Sequence, residues 1–136
     1  MDIFASIKAA ASGLRAQSGR MRVIAENIAN ANSTGQTPGA DPYRRQIPVF
    51  KTELDRATGV TTVNMDRVTI DRSDFTTRFQ PGHPAADENG MVKIPNVTTL
   101  VESMDMREAQ RSYEANLNVI SATRRMVLRT LDILRA

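Results

Sequence analysis

The chain has no cysteine, no tryptophan and one histidine, and only six of its 136 residues are aromatic. Without cysteine there is no disulfide and no thiolate metal site. With His83 alone there is no His-pair metal site and no two-histidine chemistry. Large apolar residues are also scarce: Leu, Ile, Val and Phe number 30, or 22%, close to the level at which disorder becomes the default. Alanine supplies 16 of the 55 apolar residues. That scarcity argues against a compact enzyme and favours an elongated protein, or one whose core a partner completes. No apolar run approaches the roughly 18 residues that span a bilayer. The start, Met1-Asp2-Ile3-Phe4 followed by Lys8 and Arg15, lacks the basic-then-apolar order of a secretory signal.

Charge of one sign is not concentrated anywhere. The net charge is +3, and the balance of bases to acids is four to two over 1–32, eight to eight over 33–96 and six to five over 97–136. A nucleic-acid surface needs a basic patch, often interleaved with aromatics, so no nucleic-acid partner is expected.

What the chain does have is period. Ile3, Ile7, Ala10, Leu14, Gln17, Met21, Ile24, Ile28 and Ala31 alternate four and three apart, a heptad stripe with Gln17 its one polar member. The spacing predicts a helix ending near Asn32-Ser33-Thr34-Gly35, with Gly35 in the left-handed conformation. Tyr113, Leu117, Ile120, Arg124, Val127, Leu131 and Leu134 repeat the device, and Met106 and Gln110 extend it backwards. Leu100, Val101 and Met104 are read as widening that face. Thr99-Leu100-Val101-Glu102 fits a capping box that starts the helix at 97–100. The first half of this helix is acidic and the second basic, which complements its dipole.

Between the helices, Asn32 to Pro42 reads as a loop. Tyr43–Phe50 reads as a strand that Pro48 marks as an edge or bulge. Val60–Val63, Val68–Ile70 and Phe75–Phe79 are short β-prone runs, Pro81 to Gly90 is turn-rich, and Met91–Ile94 is a last strand. The expected fold is therefore mainly α: two long, antiparallel-paired, coiled-coil-like terminal helices joined by a small irregular β-containing segment. The expected division is a heptad helix over 1–32, a loop-and-strand middle over 33–96 and a heptad helix over 97–136, with 1–32 and 97–136 together forming one inner core domain.

Candidate chemistry is thin. His83 lies between Gly82 and Pro84; Asp87 and Glu88 are near in sequence, but nothing else supports a catalytic site, so it reads as a turn histidine. Asp87-Glu88-Asn89-Gly90 lacks the alternating ligand spacing and closing Glu of a calcium loop. Glu102 and Asp105, in the first turns of a helix, read as serving its dipole. Asn32-Ser33-Thr34 and Asn96-Val97-Thr98 match the glycosylation sequon and read as local caps and turns. No catalytic, metal or cofactor site is expected, and no small-molecule substrate.

Specific strings then carry a resemblance. Ala11-Ser12-Gly13-Leu14-Arg15-Ala16-Gln17, with Arg20, Val23 and Ala25-Glu26-Asn27-Ile28-Ala29-Asn30, resembles the N-terminal signature of bacterial flagellar rod and hook axial proteins. Pro81-Gly82-His83-Pro84-Ala85-Ala86-Asp87-Glu88-Asn89-Gly90, then Pro95-Asn96-Val97 and Arg111-Ser112-Tyr113-Glu114-Ala115-Asn116, is most similar to the proximal rod members of that family. Gln80, Ala85 and Ser103 depart from its usual pattern. The resemblance implies a structural subunit of the basal-body rod. It would be made in the cytoplasm, exported by the flagellar type III apparatus without a cleaved signal and assembled in the periplasm. The terminal helices would line the export channel, and the partners would be copies of the chain, other proximal and distal rod proteins, the rod-base adaptor and the membrane ring. Both stripes are then the expected assembly interface, with loops 32–56 and 80–96 against neighbours. The alternative is a soluble coiled-coil adaptor of a secretion or signalling complex, which would show a fixed small stoichiometry. A membrane-surface helix does not suit stripes that contain Ala and Gln17.

Overall fold

The computed structural model describes residues 3–135. Its elements run α1 (Ile3–Ala29), β1 (Gln46–Asp55), β2 (Val60–Ile70), β3 (Thr76–Phe79), β4 (Met91–Ile94) and α2 (Thr99–Arg135). The expected helix limits at Met1 and Ala136 lie outside the described residues. Two terminal helices with small antiparallel strand pairs between them make the architecture. The helices, 27 and 37 residues long, take up about half the chain. At 1.5 Å per residue α2 is about 55 Å long.

The middle holds more strand than the sequence suggests. The runs 60–63 and 68–70 are one strand of 11 residues, because Asn64 and Asp66 are exposed while Met65 between them turns inward against Gly19. That is period-2 alternation, invisible to a search for unbroken β-branched runs. β1 and β2 form a two-stranded sheet. Thr62 donates to the Glu53 carbonyl at 3.2 Å and Thr69 to the Ile47 carbonyl at 3.4 Å, so the strands run in opposite directions. Gly59, at φ +66°, closes the hairpin with its N–H on the Asp55 carbonyl at 2.7 Å. β3 and β4 pair antiparallel, from Thr76 opposite Ile94 to Phe79 opposite Met91.

Both expected helix caps differ from what forms. Gly35 is not among the glycines with positive φ. α1 stops because its last turn tightens, Ala31 N–H bonding the Ile28 carbonyl at 3.2 Å, while the Asn30 amide takes the Glu26 carbonyl at 2.8 Å. At the start of α2 the Glu102 N–H goes to the Thr98 carbonyl at 3.1 Å, and the Glu102 side chain turns into the protein instead of back to the cap.

The chain forms two compact units, Met1–Met21 with Val49–Arg67 and Arg107–Ala136, and Arg22–Pro48 with Val68–Met106. In the first, α1 is held from two sides. Lys8 ion-pairs with Asp55 at the hairpin tip, and the buried Ser12 hydroxyl accepts the Val63 N–H at 3.1 Å. A Cβ on Gly13 would lie 2.7 Å from the Asn116 amide of α2, and Arg20 pairs with Glu108 at 3.6 Å. Numbers rise along α1 as they fall along α2, so the helices run in opposite directions there. In the second unit, Arg45, Asn96 and the two helix segments meet in the polar cluster described below.

Candidate assembly interface

The α1 stripe is mostly taken up within the chain. Ala10, Ile24 and Ala31 are buried, Ile7, Leu14, Gln17, Met21 and Ile28 are half-buried, and only Ile3 is exposed. A second row that the stripe omits, Ser12, Ala16, Val23 and Asn27, is buried as well. The Gln17 Oε1 is buried with no hydrogen-bond partner among the described residues.

α2 is arranged differently. The residues it buries are Glu102, Ala109 and Thr123, with Asn116 half-buried against Gly13. They are spaced by seven, so the small and polar members of the heptad face inward. Tyr113, Ile120 and Val127 are half-buried beside them. Leu117 (47% exposed), Leu131 and Leu134 (78%) stand in solvent, with Val119, Met126, Leu128 and Ile133. Leu100 and Met104 are exposed too, and they do not widen the Tyr113 face: nine residues separate Met104 from Tyr113, about half a turn net. At one end of the pair, Ile3, Phe4, Ile7, Ile120, Arg124, Val127 and Leu128 line an apolar groove of about 460 Å3.

The second unit holds a cluster that no local spacing announces. Asn27 of α1 donates to the Gln46 carbonyl at 2.8 Å and to Glu102 at 3.1 Å. Its oxygen accepts the Gln46 N–H and the Tyr43 hydroxyl, both at 2.9 Å. Glu102, 1% exposed, accepts the Arg45 Nε–H at 2.5 Å. The same guanidinium faces Asp71 at 3.8 Å and Asp105 at 3.7 Å. Glu102 and Asp105 thus hold Arg45 rather than serving the helix dipole. Asn96 is no local cap either. Its oxygen accepts the Arg45 N–H at 2.8 Å, and its amide reaches the Asp71 carbonyl at 3.1 Å and Ser73 Oγ at 2.9 Å. Burial, with Glu26 and Glu102 near, pushes the Tyr43 phenol up. The Ser73 N–H and hydroxyl, then Arg45, hold Asp71 below its usual range.

The turn-rich string builds the β3–β4 connection. Asp87 Oδ1 accepts the N–H groups of Asn89 at 2.8 Å and Met91 at 2.9 Å, so this carboxylate closes a turn. Gly90, at φ +75°, lies against the Phe79 ring and Pro81, where a side chain has neither conformation nor room. Pro81 and Pro84 are exposed, and His83 is half-buried. Lys93 pairs with Asp41 at 2.8 Å and lowers that carboxyl, chiefly through the hydrogen bond. Among the described residues no group of His, Asp or Glu is arranged to hold a metal ion, and no helix is long and apolar enough to cross a membrane.

Two family models match: Flagella basal body rod protein over residues 7–36, and Flagellar basal body rod FlgEFG protein C-terminal over 88–133. The flagellar basal-body rod protein FlgC of Agrobacterium fabrum is 57% identical over 97% of this chain and 95% of its own length. FlgC of Salmonella typhimurium is 40% identical over 91% and 92%, and that of Aquifex aeolicus 38% identical over 97% of each. The chain belongs to the FlgC family of flagellar basal-body rod proteins. Its role is accordingly structural, as a subunit of that rod. Gly13, Leu14, Gln17, Asn27, Ala29 and Asn30 fall within the first match, and Asn89, Gly90, Pro95, Asn96, Val97, Tyr113, Ala115 and Asn116 within the second. Pro81, His83, Pro84 and Asp87 lie outside both. Gly13 and Asn116 meet each other, and Asn27 and Asn96 meet at Arg45 or its partners, so several family residues shape the chain itself. The sequence could not supply Arg45 or Glu102, because Asp71, Glu102 and Asp105 come together only in the fold.

Proposed function

We propose that the chain builds the proximal part of the rod and joins its neighbours through α2, as one component of a helical array that transmits torque and lines the export channel. The observation that carries this is the row of large apolar side chains along α2 that the chain itself leaves uncovered. Burying such a row on a neighbour stabilises by about 25 cal/mol per Å2, and head-to-tail contacts that do not close propagate a helix. Terminal helices pairing as a coiled-coil-like inner domain of 1–32 and 97–136 fits the opposite directions of α1 and α2. The exposed stripe residues of α2, and loops 32–56 and 80–96, are the contact surfaces on this reading, while most of the α1 stripe is covered within the chain. Partners are further copies, other proximal and distal rod proteins, the rod-base adaptor and the membrane ring. The chain reaches the periplasm through the type III export apparatus without signal cleavage.

Charge along α2 supports a repeating contact. Arg107, Arg111 and Glu114 recur eighteen residues on as Arg125, Arg129 and Asp132, all six exposed. Eighteen residues are five turns, so the pattern returns on the same face about 27 Å further along. Exposed charges of this kind set register more than they add affinity. Leu117→Lys and Leu131→Lys, expressed in place of the native chain, test the proposal. Both are expected to be exported and to leave rods unfinished; complete rods and normal motility in both would overturn it.

A further inference from the structure

His83 contacts two neutral groups, and one of them, a backbone N–H, defines the ring's state. Its Nδ1 lies 3.1 Å from the Ala85 backbone nitrogen, which can only donate. Nδ1 therefore holds a lone pair, and Nε2 carries the hydrogen, directed at Thr34 Oγ1 at 3.3 Å. The geometry requires a neutral imidazole. Around it the loop closes tightly: the His83 N–H bonds the Gln80 carbonyl at 3.1 Å, and the Ala86 N–H bonds the His83 carbonyl at 2.9 Å. Ala85 is buried, and its carbonyl accepts the Gly39 N–H at 3.3 Å, which joins the loop to segment 33–40.

We infer that His83 is a pH-operated latch: the neutral ring closes loop 80–90 and clasps it to segment 33–40, and a proton on Nδ1 opens it. A proton there sets a donor against a donor. The ring must turn away, and the Ala85 N–H is left in a buried place without an acceptor. The charged groups about the clasp are Asp87 and Glu88 on the same loop, Asp41 on the facing segment and Lys93 on β4. Asp41 is engaged by Lys93, and Asp87 by two backbone N–H groups. Among the described residues no carboxylate hydrogen-bonds or ion-pairs with the ring, so none compensates a positive charge in its present position.

The test is nuclear magnetic resonance on the full chain, following the His83 ring and the Ala85 and Gly39 amides from about pH 8 to about pH 5. The Ala85 and Gly39 amides should lose protection by about tenfold or more, corrected for intrinsic exchange, in step with protonation of the ring. In His83→Asn the side-chain oxygen can accept the same N–H two residues on as an Asx turn, with nothing to titrate, so protection should persist at both ends of the range. His83→Ala should lose it at both. Wild-type protection that stays constant while the ring titrates would overturn the latch. So would a His83→Asn chain that loses protection in acid as the wild type does.

Discussion

Along α1, Val23 and Ile24 are buried with Ala10 and Ala16; along α2 the one buried apolar residue among those described is Ala109, while Leu117, Met126, Leu131 and Leu134 face solvent. Both helices carry heptads, so spacing alone does not separate them. What separates them is what covers each. The hairpin reaches α1 at Lys8, Ser12 and Gly19, and α2 reaches it at Gly13 and Arg20. A heptad records which residues share a face, not whether the partner is in the same chain. On the function proposed above, α1 is chiefly a folding helix and α2 an assembly helix.

The sharpest way to break that comparison is a charge on each. Ile24 is 3% exposed. Ile24→Asp buries an unpaired carboxylate, and we expect a loss of about 4 kcal/mol or more in urea denaturation. Such a chain fails before it can assemble, so Ile24 does not report on contacts between subunits. An Ile24→Asp chain as stable as the wild type would remove the distinction between the helices.

Next comes Arg45→Ala, which strands Glu102 in the interior with the Asn27 amide as its remaining side-chain donor among the described residues. Leaving one member of a buried ion pair alone costs about 3 kcal/mol. The double change Arg45→Met with Glu102→Leu should recover most of that, because neither charge then remains buried. If the double variant is as unstable as the single one, the pair is not what holds this end of α2.

Leu117→Lys is the counterpart on the other helix. A half-exposed surface position should change denaturation by no more than about 0.5 kcal/mol. The effect belongs to rod completion instead, read by motility and by electron microscopy of basal bodies. Stability lost to the same degree as with Ile24→Asp would mean that α2 folds against its own chain after all.

Much of this was legible in the residues. The 3.5-residue period placed both helices to within a few positions, and the turn-rich string from Pro81 to Gly90 marked the β3–β4 connection. Two things were not legible. β2 looked broken because Asn64 and Asp66 interrupt its β-branched runs, although alternation continues through Met65. Glu102 looked like a cap because Thr99 stands three residues before it, and a short motif cannot reveal an arginine fifty-seven positions away that claims the same carboxylate. Residues that share a helix face were legible as stripes but not as covered or free, since coverage depends on the hairpin, whose path over α1 has no signature in the α1 sequence.

The smallest effect concerns the tie between α1 and the hairpin tip. Lys8, then Thr58 and the Ala57 N–H, hold the Asp55 carboxyl at about 2, below the ordinary Asp value near 3.9. The unfolded chain therefore takes up the proton first as acid is added. The contribution of this group is complete above about pH 4 and is lost as pH falls toward 2. Both side chains are partly open to solvent, so the contribution is small and screened by salt. Asp55→Asn should flatten this part of the acid denaturation curve. Asp55→Ala, which also removes the acceptor of the Ala57 N–H, should raise exchange at Ala57 on the hairpin tip, while amides in the Leu117–Leu134 stretch of α2 keep their wild-type rates. Equal loosening of that stretch would show that the two helices depend on the same tie and would narrow the difference between them.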